Sequence, residues 1–278
     1  IRTNEGAPDF RLLELPCSEP DLSKASVIEP ARSGIRLTEV LPLKQHRILF
    51  ETRAGLDYVR IQDLRDGSEH ELEVPDAVFD LHSAINEEFE TNSIQFTYSS
   101  PIRPSLTFQY NLDSRARETL RTSRVPSGHN PDDYSVYRVH AESRDGTSIP
   151  VTIIHRKDLP RDGSRPAYLY GYGAYGSPVG TDFTTSWLTW LERGFTVAIA
   201  HVRGGGLLGE HWYQKGKLLH KQNSFADFIA SAEMLIKDGY TTHKQLAIEG
   251  GSAGGLLIGA VLNQRPDLFQ VAVASVPF

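Results

Sequence analysis

A chain of 278 residues, 39% hydrophobic and 23% charged, has the length for two domains and the composition of a globular protein. Its net charge of −6 argues against nucleic acid as a partner, and it has no apolar run of about eighteen residues to span a membrane. A single cysteine, Cys17, excludes an internal disulfide and points to a reducing, cytoplasmic home, while ten histidines without metal-type spacing leave no metal or other cofactor expected.

The opening residues, Ile1 to Gly6, read as a strand end entering a turn, as in a chain that begins inside a longer structure, and lack the apolar stretch of a signal peptide. Residues 1–127 are written in strands and turns. Three segments share one layout, Ile1 to Leu15, Phe50 to Leu64 and Tyr98 to Leu112, each closing on an acid or amide followed by leucine (Glu14-Leu15, Asp63-Leu64, Asn111-Leu112). Successive copies stand 49 and then 48 residues apart, the period of a four-stranded propeller blade. Strand alternation is plain in Ser93-Ile94-Gln95-Phe96-Thr97-Tyr98. Three blades cannot close a ring, so further blades are expected ahead of Ile1. A β-sandwich with chance internal similarity is the competing reading.

The Pro-, Gly- and Asp-rich stretch from Val125 to Asp133 marks the domain boundary, with the second domain taken as 128–278. Tyr134–Ala141 and Ser148–Arg156 form a hairpin around Asp145-Gly146. The grammar then changes. A strand at 166–170 precedes a short helix carrying Trp187, Leu188, Trp190 and Leu191, closed by Gly194. Phe195 to Ala200 is a continuous apolar strand of the buried, parallel kind. Phe225, Phe228, Ile229, Ala232, Leu235 and Ile236 fall on one helix face, with Ser224 as the expected N-cap and Gly239 past the end. Strands at 246–248 and 271–274 flank a helix over 253–263. Alternation of this kind predicts a parallel α/β sheet.

Gly250-Gly251-Ser252-Ala253-Gly254 lies between a strand and a helix, the setting in which G-x-S-x-G is a nucleophile elbow. A sharp turn there pushes the serine hydroxyl out above the sheet and aims the first helix amides at the reacting carbonyl oxygen. Glycines at 250 and 254 answer the crowding of such a turn. Tyr170-Gly171-Tyr172-Gly173-Ala174-Tyr175-Gly176 ends an earlier strand and should face the same cleft, either offering a tyrosine hydroxyl as an oxyanion donor or packing on a neighbour. Arg203-Gly204-Gly205-Gly206 reads as a tight structural turn and lacks the ending of a phosphate loop. A base and an acid normally follow the serine in this fold, yet no histidine follows Ser252 and the one later acid, Asp267, sits in a helix-to-strand turn. His201 and His211 precede the serine, and chain order argues against both.

The stretch from Tyr168 to Phe278 resembles the peptidase domain of the prolyl oligopeptidase family, and within it the oligopeptidase B branch, which cuts short peptides after arginine or lysine. The residues that carry the resemblance are Tyr170 to Gly173, Arg203 to Gly206, Gly216-Lys217, Lys221 to Phe225, Gly250 to Gly255, and Asn263 to Phe269. Ala253 after the serine matches the basic-specific branch, where the proline-specific branch has asparagine, and Val276-Pro277-Phe278 points the same way. The resemblance implies an α/β-hydrolase fold, present in part, preceded by part of a β-propeller. It implies Ser252 as nucleophile and the Tyr172 hydroxyl with the Ala253 N–H as oxyanion hole. Of two aspartates that hold a second basic residue in oligopeptidase B, Asp182 remains and Gly180 replaces the other; Tyr175 is a further substrate-contact candidate. Where the family's arginine-glycine loop continues with glutamate, this chain has Leu207.

The catalytic aspartate and histidine, the acids that bind the arginine before the cut, and the rest of the propeller are expected outside residues 1–278. The implied substrates are short peptides with basic residues, and the oligomeric state stays open. Two other readings remain: a proline-specific, acylaminoacyl or dipeptidyl peptidase or an esterase of the same fold, and an inactive propeller-based binding module. The 278-residue chain alone is expected to be inactive and prone to aggregate.

Overall fold

The computed structural model describes all 278 residues. The first eleven strands form three separate antiparallel sheets that follow one another along the chain. The first comprises β1 (Arg2–Thr3), β2 (Arg11–Glu14) and β3 (Ser26–Glu29). The second comprises β4 (Ile35–Pro42), β5 (His46–Arg53), β6 (Leu56–Asp63) and β7 (Glu69–Glu71). The third comprises β8 (Asp80–Ser83), β9 (Ser93–Ser100), β10 (Arg103–Asn111) and β11 (Arg117–Thr122).

The repeated segments are antiparallel hairpins of these sheets: β1–β2, which includes an edge strand of the first, and β5–β6 and β9–β10, the inner pairs of the second and third. Their shared acid-or-amide ending has a local cause in the second and third copies. Asp63 Oδ1 accepts the Arg65 N–H at 2.9 Å, and Asn111 Oδ1 accepts the Ser114 N–H at 2.8 Å. Each side chain closes the turn into the outer strand. The sheets stack face to face: Phe50 meets Phe96 at 6.1 Å between ring centroids, within a core shared by Ile48, Val59, Ile61, Phe108 and Tyr110. Leu12, Leu37 and Leu49 join the first sheet to the second in the same way. Successive sheets packed as layers are propeller blades and not the two facing sheets of a sandwich.

The remainder of the chain builds one six-stranded sheet. Its strands are β12 (Tyr134–Glu142), β13 (Ser148–Arg156), β14 (Ala167–Gly171), β15 (Thr196–Ala200), β16 (Leu246–Gly251) and β17 (Val271–Ser275), in the order β12-β13-β15-β14-β16-β17. The last four of that order run parallel, as the strand–helix alternation predicts. β12 and β13 do not, because the short turn at Asp145-Gly146 joins them as a hairpin, and β13 then meets β15 antiparallel.

Helices α3 (Lys221–Lys237) and α4 (Ala253–Gln264) cover one face, where Phe228, Leu235, Leu257 and Ile258 pack on Val151, Leu169, Ala198 and Ile248. α1 (Thr185–Leu191) covers the other, against Ile154, Tyr168 and Val197. α2 (Glu210–Gln214) is a single short turn of helix.

Ser224 is not the cap of α3. The helix begins one turn earlier, at Lys221, behind a 3-10 turn at Leu218–His220. Lys221, Gln222 and Asn223 carry no apolar signal, so the hydrophobic period becomes visible only from Phe225. Ser224 lies inside the helix and is buried, its hydroxyl donating to the Arg203 carbonyl at 2.6 Å.

Candidate active site

β16 ends between β14 and β17, and the chain turns at Ser252 (φ 53°, ψ −116°) directly into α4. Positive φ at a residue with a side chain is strained and persists only where the surroundings fix it. Here they do. The Ser252 N–H donates to the Ser275 carbonyl at the end of β17 at 2.9 Å, and its own carbonyl accepts the Leu256 N–H at 3.1 Å. The backbone then crosses itself so closely that a Cβ on Gly250 would lie 2.5 Å from the Gly254 oxygen, and one on Gly254 would lie 2.7 Å from the Gly171 oxygen. No side chain caps α4, so its first amides point into the space in front of Ser252.

Close packing at Gly254 also brings in the loop after β14. Tyr172 lies against it, with Cα and Cδ2 both 3.4 Å from where a Gly254 Cβ would stand. Ser252 and Tyr172 are half-buried and Ala253 is buried, so the three residues gather at one end of the parallel strands. Tyr175 and Asp182 are more exposed than these three. Tyr175 is 70% exposed with φ 58°, and Asp182 is exposed with its carboxylate turned back over Gly180.

The two upstream histidines stand elsewhere. His201 is buried in the sheet with Nε2 2.8 Å from Thr152 Oγ1, and burial, aided by the Arg138 charge, drives its pKa well below the usual value. It is a neutral core residue. His211 is exposed and lines a cleft of about 740 Å³. That cleft lies between propeller and sheet, walled by Asp57, Phe79 and Asp80 on one side and by Val179, Thr181 and Leu207 on the other. Neither Ser252 nor Tyr172 lines it. Asp267 is exposed and pairs with Arg265 at 2.8 Å, as a turn residue would.

Direct contacts tie the two halves beside this cleft. The β5–β6 hairpin turns at Ala54-Gly55, both with positive φ, and Arg138 Nη1 donates to their two carbonyls at 3.0 and 3.2 Å. Leu207 packs against Gly55 so tightly that a Cβ there would lie 2.2 Å from Leu207 Cγ. Thr181 Oγ1 donates to the Phe79 carbonyl at 3.2 Å.

Support for the Tyr172 loop comes from residues whose roles the sequence hides. Arg203 is buried and bonds Asp227 through Nη2 at 2.6 Å and Nε at 2.8 Å, and Asp145 through Nη1 at 2.6 Å. Burial alone would lower its pKa, but these carboxylates outweigh it and hold the guanidinium charged. The one local signal was Asp227, an acid on the buried face of α3. Arg203 in turn fixes its glycine loop, where a Cβ on Gly206 would lie 1.9 Å from the Gly176 oxygen. The reading of this loop as a structural turn fits that contact.

Two three-residue groups with ligand-type side chains, His46–Asp63–Asp113 and Asp57–Asp80–His82, were also invisible to spacing arguments. In the first, Arg65 already bonds both carboxylates. In the second, a carboxylate oxygen of Asp57 lies within 4.8 Å of one on Asp80. Burial first, and then the Asp80 charge, push the Asp57 carboxyl up to about 6. Asp80 stays ionised because His82 Nε2, 2.9 Å away, outweighs its own burial.

Comparison with known proteins agrees with this architecture. Residues 1–123 match the profile of the prolyl oligopeptidase N-terminal beta-propeller domain, and residues 181–278 match that of the prolyl oligopeptidase family. The chain belongs to the prolyl oligopeptidase family. Over its full length it is 34% identical to dipeptidyl aminopeptidase BI of Pseudoxanthomonas mexicana and 34% identical to protease 2 of Moraxella lacunata. It superposes on oligopeptidase B from Trypanosoma brucei, solved in a closed form with covalently bound antipain, with a TM-score of 0.91 at 35% identity. The chain spans between 38% and 40% of the length of these three relatives. No helix in it is long and apolar enough to cross a membrane.

Proposed function

We propose that the protein carrying this chain is a serine oligopeptidase that cleaves short peptides after arginine or lysine through an acyl-enzyme on Ser252. The observation that carries the reading is the geometry of Ser252, a positive-φ residue locked between a parallel strand and an uncapped helix N-terminus. Attack by Ser252 Oγ on the scissile carbonyl breaks the C=O π-bond and leaves negative charge on its oxygen. The Ala253 N–H and the Tyr172 hydroxyl receive that charge. Removing one such donor costs roughly 10²- to 10³-fold in kcat. The serine proton passes to a histidine base and from there to the departing amine, with histidine and aspartate supplied from outside residues 1–278. The likeness to oligopeptidase B and the presence of Ala253 support a basic residue before the cut, with Asp182 as a contact for a second basic residue.

The test uses the full-length protein. Wild type labels stoichiometrically with a fluorophosphonate, Ser252→Ala does not, and Arg- and Lys-terminated fluorogenic peptides are cleaved faster than Pro-terminated ones. Faster cleavage after proline rejects the basic specificity, and undiminished labelling of Ser252→Ala rejects the nucleophile. The 34% identity to a dipeptidyl aminopeptidase supports a second reading, release of dipeptides from a free N-terminus. Mass analysis of the products separates the two, since an endopeptidase also cuts N-acetylated peptides.

A further inference from the structure

We infer that Lys221 is a positioning residue for the oxyanion hole, holding the loop that presents Tyr172 by bonding its Gly173 carbonyl. The inference rests on the proposed role of Tyr172 and extends it to a residue that touches no substrate.

Lys221 is the first residue of α3, where the helix dipole disfavours a cation, and it is half-buried. Its ammonium has no carboxylate partner, and burial alone lowers its pKa to about 8. A lysine in such a place must gain elsewhere, and the gain is visible. Nζ donates to the carbonyl of Gly173, the residue after Tyr172, and lies 3.4 Å from Ser224 Oγ. Ser224 completes the clamp by donating its one hydroxyl proton to the Arg203 carbonyl at 2.6 Å, with the Gly216 carbonyl 3.2 Å away.

Three glycine-bearing turns meet at this point. A Cβ on Gly204 would lie 2.3 Å from the Gly173 oxygen, and the Gly176 N–H donates to the Gly204 carbonyl at 3.0 Å. The Gly173 carbonyl is therefore pinned from one side by a charge-assisted bond and from the other by backbone contact. Without the cation the loop is free to shift, and a displacement of about 1 Å at a reacting group costs on the order of 10²-fold in rate.

Around Lys221 the facing groups are the Gly173 carbonyl, the Ser224 hydroxyl and the Phe225 ring, whose centroid is 5.9 Å from Nζ. The bond therefore weakens as the ammonium loses its proton near pH 8, and the rate falls with it.

The experiment is a double-mutant cycle with a pH profile on the full-length protein. Expected are a kcat lowered by ~10² in Tyr172→Phe, a kcat lowered by ~10- to 100-fold in Lys221→Met with KM within about threefold, and a double variant within about threefold of Tyr172→Phe. Wild-type kcat declines above about pH 8, and Lys221→Arg, which stays charged, loses that decline. This last comparison stands even where Lys221→Met does not fold. A slow Tyr172→Phe beside a Lys221→Met that matches wild type, or that multiplies fully with Tyr172→Phe, overturns the role of Lys221 alone. Persistence of the alkaline decline in Lys221→Arg overturns it as well. A Tyr172→Phe variant with wild-type kcat overturns the oxyanion reading and this inference together.

Discussion

The strained turn at Ser252 is built from its immediate neighbourhood in the chain. The two glycines, the strand before and the helix after all lie within about twenty residues, so periodicity and turn chemistry reach them. Arg203, Asp227, Asp145 and Lys221 form the frame behind the site, yet Asp145 joins Arg203 across 58 residues and Lys221 reaches Gly173 across 48. Spacing carries no trace of such pairs. Tyr175 and Asp182 were singled out by residue type and position, and both stand exposed, Asp182 with its carboxylate over Gly180. The Arg203–Asp227 pair should matter most for stability at this scale. Asp227 is fully buried and Arg203 nearly so, and removing one partner of a buried pair costs about 3–5 kcal/mol by leaving the other charge alone. Asp227→Ala is expected to lower the unfolding free energy measured by denaturant titration by that margin, while Asp227→Asn, which keeps one acceptor for the guanidinium, loses less.

Elements were legible wherever one face is buried and obscured where a polar turn opens them. The hairpin repeat survived because its closing acid or amide is itself a turn device, whereas the start of α3 was misplaced because its first three residues are polar. Between elements, the Asp57–Asp80 contact joins β6 to β8 and makes stability depend on pH. The Asp57 pKa is raised from an ordinary 3.8 to about 6, by burial and by the ionised Asp80 beside it. Its stabilising contribution is thus complete below about pH 4 and disappears as pH rises through about 6. Asp57→Asn presents a permanent amide donor to Asp80. The variant should melt higher than wild type at about pH 7.5, and the difference should vanish near pH 4. An equal difference at both values would show that Asp57 carries no such proton.

For the whole molecule, the division into blades and hydrolase sheet followed from the change of grammar near residue 125, but the contacts between them did not. Arg138, Leu207 and Thr181 meet the propeller at carbonyls and at a bare glycine, partners that have no side-chain signature. β17 closes the six-stranded order on one side with Val271 52% and Val273 44% exposed, followed by Val276 and Phe278, also exposed. An apolar edge strand is a template for pairing with another chain. The polypeptide of residues 1–278 should therefore self-associate in solution, and Val271→Lys with Val273→Lys should shift it toward monomer in sedimentation velocity. An unchanged distribution would place any association elsewhere.

The crossing at the nucleophile turn has a genetic corollary. At Gly250 and Gly254 the obstacle to a side chain is main chain, 2.5 and 2.7 Å away, and main chain cannot repack to make room. Every missense codon adds at least a Cβ, so the only alleles these two positions can carry without loss are synonymous ones. Their immutability would owe nothing to chemistry performed by glycine. Selection would be seen to guard two hydrogen atoms, since those are all that the backbone crossing leaves space for.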